Sequence, residues 1–450
     1  MSASSLVIES DWILPVESPA IRGGFLVIEA GRILHVAAHL PERFCGLHRV
    51  RLSGGAILPG LINAHCHLEL SDIDQPLPVP QSDNGTGSMV GWLDKLMARR
   101  MDLVDSKSHL EVIKQDAIEL GIRQAWESGT RFVVDNVTAP WSAQWCEQSA
   151  RGLCKDPSSE AYRALVPEIP IHIQPCIELV DVNQKRCEQT WEFAKKLCEQ
   201  QTTTDRVCRQ PFGLAPHAPY TASKRMVQQA ARFQSASYGL LSMHLAESLE
   251  ELEYVEKSKG PFKFWISPWV DNEHVSNIGK IDEYLRLMLE AHRSLIAHGN
   301  YLSDSQIDWI GEHRDKVAVV YCPRTHSHFR HKEHPARTLA GRGVTVFLGT
   351  DSKCSNPDLS LFEEWKTACR MFPDLGARYW MEQCTTSPAK FLEIDHWVGT
   401  IRQGSKSLLT WVPLGGQEIA DEDQLWQSML DSHQAMPLEV QVSLMEMTFR

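Results

Sequence analysis

Four short stretches of this chain hold residues whose types and spacing could perform metal-assisted hydrolysis. Asn63-Ala64-His65-Cys66-His67 sets two histidines two residues apart. On a β-strand that spacing aims both imidazoles to one side, which suits a divalent metal far better than it suits packing. Met243-His244-Leu245-Ala246-Glu247, Ala297-His298-Gly299 and Gly349-Thr350-Asp351-Ser352 each place an ionisable side chain at the end of a mostly apolar run. Any one of these, alone, is as readily a capped strand end as a functional residue. Together, His65, His67, His244 and Asp351 supply three neutral nitrogens and a carboxylate, a donor set fit for Zn²⁺ or Fe²⁺ with a position left for water. A divalent ion held this way lowers the pKa of its bound water to roughly 7.

Residues so far apart need a scaffold that gathers strand ends. Eight apolar runs recur along the chain: 57–67, 130–138, 171–179, 212–219, 240–246, 294–300, 317–323 and 344–351. Segments with helical periodicity, such as 110–128, 190–199, 224–234 and 281–292, lie between them. Eight strands alternating with helices predict either a (β/α)8 TIM-type barrel with insertions or a doubly wound open sheet. The ionisable residues fall at the C-terminal ends of the runs, where a parallel barrel builds its active site. The chain ends have another rhythm. Short alternating segments at 5–9, 24–29, 32–37 and 49–52 predict a small antiparallel unit, and a β-rich stretch returns at 399–401 and 407–412. The expected organisation is a small β-sandwich domain from residues 1–55 plus 396–450, flanking a metal-dependent hydrolase barrel at 56–395.

Composition narrows the function classes. The 450 residues include 45 Lys and Arg against 57 Asp and Glu, a formal charge of −12. That balance argues against nucleic-acid and anionic-membrane partners, both of which need a basic face. The twelve cysteines show no CxxC pair or regular spacing, so reduced thiols and a cytoplasmic setting are expected. A small-molecule substrate is the expected partner, and a homo-oligomer is allowed.

The order Pro59-Gly60-Leu61-Ile62-Asn63-Ala64-His65-Cys66-His67, His244-x-x-Glu247, His298-Gly299 and Gly349-Thr350-Asp351-Ser352 resembles the amidohydrolase superfamily in its mononuclear deaminase branch. The resemblance runs over nearly the whole chain and favours the barrel over the open sheet. It implies one metal on His65, His67, His244 and Asp351. It also implies catalytic roles for Glu247 (proton shuttle), His298 (positioning the electrophile) and Asp351 (accepting the water proton). Ala215-Pro216-His217 looks like the family's loop after the fourth strand, which would put His217 on the substrate. The bridging lysine of binuclear relatives is missing there. Smaller likenesses, including His67-Leu68-Glu69-Leu70-Ser71 and Cys322-Pro323-Arg324-Thr325-His326, point to a subgroup holding aminodeoxyfutalosine and S-adenosylhomocysteine deaminases and chlorohydrolase-like proteins. Glu69 and Arg324 then become candidate substrate contacts. The expected reaction is hydrolytic deamination of an amino-purine nucleoside at a single zinc. Attack on a triazine- or guanine-like ring, opening of a cyclic amide, and a non-catalytic barrel are the alternatives.

Three further signals have milder readings. Gly85 to Gly91 superficially resembles a phosphate loop but follows no strand, so it is expected in a flexible loop over the barrel mouth, with Trp92 a lid aromatic or a packing residue. His67-Leu68-Glu69 matches half of the cytidine-deaminase zinc signature, whose Pro-Cys-x-x-Cys half is absent. His326, His328, His331 and His334 are expected on a solvated loop, with a second metal or substrate contact as minor readings.

Overall fold

The computed structural model describes residues 5–105, 109–153, 164–165, 169–201, 207–416 and 418–448. Eight parallel strands form its centre: β5 (Leu61–Cys66), β6 (Thr130–Val137), β7 (His172–Leu179), β8 (Gly213–Pro216), β9 (Leu240–Leu245), β10 (Arg293–His298), β11 (Val317–Tyr321) and β12 (Val346–Leu348). They pair in chain order, as a barrel demands. Each of the eight expected runs overlaps one of them. Nearly every strand residue is buried, because a barrel strand is covered by helices outside and by packed side chains within.

Alternate residues divide between the two surfaces. Phe132 and Val134 of β6, Cys176 of β7, Ala215 of β8, Leu240 of β9 and Phe347 of β12 form one inner cluster. Their neighbours Val133, Ile177, Leu214, Leu241 and Leu348 pack into the outer layer with the helices. One step further toward the C-terminal ends, the inner face turns polar, with Asn136, Glu178, His217 and His244 on successive strands. The helices are set by local caps: Ser223 accepts from the Met226 amide ahead of Lys224–Ser237, and Ser303 with Gln306 makes a capping box for Asp304–Glu312.

The ring closes between its first and last strands at the mouth. The His65 carbonyl accepts from the amides of Thr350 (3.1 Å) and Asp351 (3.0 Å), and Cys66 bridges Asp351 in parallel. Gly349 makes this seam: a Cβ there would sit 2.9 Å from the His65 carbonyl oxygen.

The chain ends build a separate six-stranded sheet in the order β14–β13–β4–β1–β2–β3, comprising β1 (Ser5–Ile13), β2 (Ile21–Glu29), β3 (Arg32–Ala37), β4 (His48–Pro59), β13 (Leu409–Pro413) and β14 (Met436–Pro437). Against the antiparallel expectation, β1 pairs β4 in parallel, because the β2–β3 hairpin lies on the far side of β1 and the chain crosses back. At the other end of the barrel from the mouth, Arg131 and Glu439, both fully buried, join barrel to end domain. Arg131 Nη1 meets Glu439 Oε1 at 2.6 Å, Nη2 also reaches Oε2, and Nε and Nη2 donate to the Leu409 carbonyl.

Candidate active site

Three strands bring the expected metal ligands together at the mouth. His65 is the last residue but one of β5 with His67 just beyond the strand, His244 lies near the end of β9, and Asp351 follows β12 in the left-handed region at φ 55°. His67 Nε2 and His244 Nε2 are 3.3 Å apart, and Asp351 Oδ1 lies 3.7 Å from His65 Nε2 and 3.6 Å from His67 Nε2. Ligand atoms of the three histidines all fall within 4.8 Å of one another, the one such set among the described residues.

The 3.3 Å between the two histidine nitrogens fits a shared ion, and the two Asp351 distances are slightly wider. Ligands about 2.1 Å from one centre, at angles between square and tetrahedral, stand about 3.0–3.5 Å apart. His244 Nδ1 is 2.8 Å from the His217 carbonyl, so that nitrogen carries the proton and Nε2 offers its lone pair. Both ring nitrogens of His65 are buried without a hydrogen-bond partner, which is costly unless something binds there. Burial first, then neighbouring imidazoles, hold His65 and His67 well below the usual histidine range and His244 down to about 4. At neutral pH all three are in the uncharged form that ligates metal.

Glu247 and His298 meet beside this cluster, His298 Nε2 lying 3.4 Å from Glu247 Oε1. β9 stops at Leu245, and Ala246, at φ 54°, turns the chain so that Glu247 comes back over the mouth. Buried Glu251 braces that turn by accepting from the amides of Ala246 (3.0 Å) and Glu247 (2.7 Å). Burial, then the charges of Asp351 and Glu251, push the Glu247 carboxyl well above the carboxylate range, toward the protonated form a proton donor needs. Asp351 is raised to about 7 by burial, opposed by the Ser355 hydroxyl 2.8 Å away. His217 ties Nδ1 to Thr221 Oγ1 at 2.6 Å, with its ring 5.1 Å from that of His244.

The structure engages other nominated side chains elsewhere. The Glu69 carboxylate is saturated by Lys114 Nζ (2.6 Å), Arg100 Nη2 (3.3 Å) and the amide and hydroxyl of Thr138; despite its burial, these cations hold its pKa below the ordinary value. The Arg324 guanidinium, read as a clamp for a substrate carboxylate, is held by Glu364 (2.8 Å) and Asp358 (2.7 Å). Trp92 is buried, donates to the Cys354 carbonyl at 3.3 Å and meets Phe329 edge-on, which is the packing alternative. The segment from Gly85 is tied down too, the Gly87 amide donating to the Phe329 carbonyl at 2.6 Å, and from Met89 through Gly91 it is the start of a helix rather than a loop.

The histidine cluster after β11 needs correcting. His326 and His334 are buried, under Tyr321 and its aromatic neighbours, while Arg330, Lys332 and Glu333 of the same segment stay exposed. It holds the turns that carry Ala246, Glu247 and His298. His334 Nε2 bonds the carbonyl of His298 (3.0 Å), itself at φ 70°. His326 Nδ1 bonds Asn300 Oδ1 (3.1 Å), whose Nδ2 donates to the Glu247 carbonyl (2.9 Å). His331 Nδ1 lies 3.1 Å from the hydroxyl of Tyr301, whose amide donates to the Ala246 carbonyl. Asn300, Glu251 and these tethers escaped the reading of the sequence, which shows no partner across such distances.

Known proteins agree with this geometry. A match to the Amidohydrolase family, a metal-dependent one, spans residues 56–427. A 5'-deoxyadenosine deaminase of Methanothermobacter thermautotrophicus is 24% identical over 386 residues, covering 82% of this chain and 74% of that protein. Among solved structures, Helicobacter pylori aminofutalosine deaminase in complex with methylthio-coformycin superimposes with a TM-score of 0.74 at 22% identity, over 95% of this chain and 97% of that one. Atrazine chlorohydrolase from Arthrobacter aurescens TC1, complexed with zinc, shares the fold at 0.74 and 15% identity, over 99% and 100%. With the barrel, the gathered histidines and the family match in hand, this chain belongs to the amidohydrolase family, hydrolases that act on carbon–nitrogen bonds other than peptide bonds.

Proposed function

We propose that this amidohydrolase removes the amino group of an amino-purine nucleoside, aminodeoxyfutalosine being one such substrate, with a single zinc on His65, His67, His244 and Asp351. The supporting observation is the meeting of these four residues with Glu247 and His298 at one end of the barrel. Bound there, a divalent cation supplies a water acidified to a pKa near 7. Asp351 takes the proton of the attacking water. Glu247 passes a proton to the ring nitrogen beside the reacting carbon, so negative charge does not accumulate on the ring. His298 hydrogen-bonds the oxygen that adds, favouring the tetrahedral arrangement from which ammonia leaves. His217, its Nδ1 fixed by Thr221, turns its other nitrogen to the substrate. The relatives' names support the purine over the triazine reading. Ammonia release from amino-purine nucleosides and from amino-triazines, measured on zinc-loaded protein, tests it. Release from the nucleosides is expected, and release from triazines alone would reject the assignment.

A further inference from the structure

The inner face of β6 and β7 carries two polar side chains that no role so far accounts for. Asn136 is fully buried, and both atoms of its amide lack a hydrogen-bond partner. Leaving such a group unpaired is costly, so its presence points to a ligand. Glu178 stands at the top of the neighbouring strand, half-buried, and no hydrogen bond contributes to its environment. Asn136 pairs in register with Cys176, and Cys176 and Glu178 share the inner face, so Glu178 sits one layer nearer the mouth. Glu178 pairs with Ala215, and the next inner residue on that strand is His217. Its charge is felt by His244 and Tyr220, which places it on the wall of the catalytic mouth.

We propose that Asn136 and Glu178 form a substrate subsite that takes the sugar hydroxyls of the nucleoside. This rests on the nucleoside reading of the site. An adenine-type ring, apart from the amino group that departs, presents mainly acceptor nitrogens, which a carboxylate does not bind. The strong donors left on such a substrate are its hydroxyls. A hydroxyl donates to Glu178 and accepts from the Asn136 amide, so the pair matches both of its faces. Glu69, the carboxylate nearer to the metal ligands in sequence, has no capacity left for this task. Arg100, whose charge reaches both Glu178 and His217, stands on the same side of the mouth and keeps Glu178 company as a cation.

The test compares adenosine with 2′,3′-dideoxyadenosine on zinc-loaded protein, by kcat/KM for ammonia release, for wild type, Glu178→Ala and Glu178→Gln. Wild type should favour adenosine by about 10-fold or more, the range for a hydrogen bond to a charged group. Glu178→Ala should lose that preference through KM, with kcat within about threefold and zinc content unchanged. Glu178→Gln keeps an acceptor oxygen and the side-chain shape, and should recover part of the preference; it carries the test if the alanine variant does not fold. A preference that survives both substitutions overturns the subsite while leaving the deaminase reading intact. A wild type that deaminates free adenine or a triazine but no nucleoside overturns both.

Discussion

The ion pair at the base of the barrel and the cluster at its mouth treat buried polar groups in opposite ways. At the base, Arg131 and Glu439 satisfy each other, and the Leu409 and Pro170 carbonyls take the remaining guanidinium donors. At the mouth, the nitrogens of His65 and the amide of Asn136 have no partner, and Ala246, His298 and Asp351 all adopt positive φ. Each non-glycine residue in that region costs about 1–3 kcal/mol. The base spends its polar groups on joining two domains. The mouth holds its own in readiness for something the chain itself does not supply.

Substitutions should separate the two ends. His65→Ala should abolish both stoichiometric metal and turnover; metal analysis showing full occupancy in that variant would remove His65 from the ligand set. Glu439→Ala should leave Arg131 charged and unpaired, lowering stability by about 3–5 kcal/mol in denaturant melts while the folded fraction turns over as wild type does. Glu247→Gln should keep its metal and its melting temperature but lose at least about 10²-fold in kcat. Wild-type turnover would reject its proton role. Asn300→Ala, which frees the Glu247 carbonyl from its tether, should lower kcat about 10-fold with metal retained, since small displacements of a catalytic group are expensive.

The smallest effect lies at the base. Lys406 beside Trp397 is pulled down to about 8 by burial, then by Arg209 and Arg32. Between about pH 8 and 10.5 the unfolded chain binds more protons than the folded one, so this lysine makes stability rise with pH across that window. Subtracting the pH–stability curve of Lys406→Met from that of wild type should isolate the rise; a flat difference would show that the lysine is solvated.

The sequence announces the barrel because strand ends and chemistry coincide: short apolar runs carry His65, His244, His298 and Asp351 at or near their C-terminal ends, and each run overlaps one barrel strand. The break in β9 was also readable, since Glu247 could reach the mouth only if the strand ended near Ala246. Side chains whose meaning depends on a partner were not. Glu69 finds Lys114 some forty residues on, and Arg324 finds Glu364 at a similar remove. Glu178 ends an apolar run just as His244 does, and its parity with Cys176 was the signal available. The buried histidines after β11 sit among charged neighbours in sequence, and only the fold stacks His334 on Tyr321.

The seam of the ring has a thermodynamic consequence. His65 and Asp351 are at once proposed ligands and the residues whose main chains stitch the first barrel strand to the last. Any cation they share is therefore a clasp on the circle, and by mass action its tightness adds directly to the resistance of the whole domain to unfolding, about 4 kcal/mol at a thousandfold excess over Kd. Starving such a protein of its ion loosens the hoop that the other seven strands lean on.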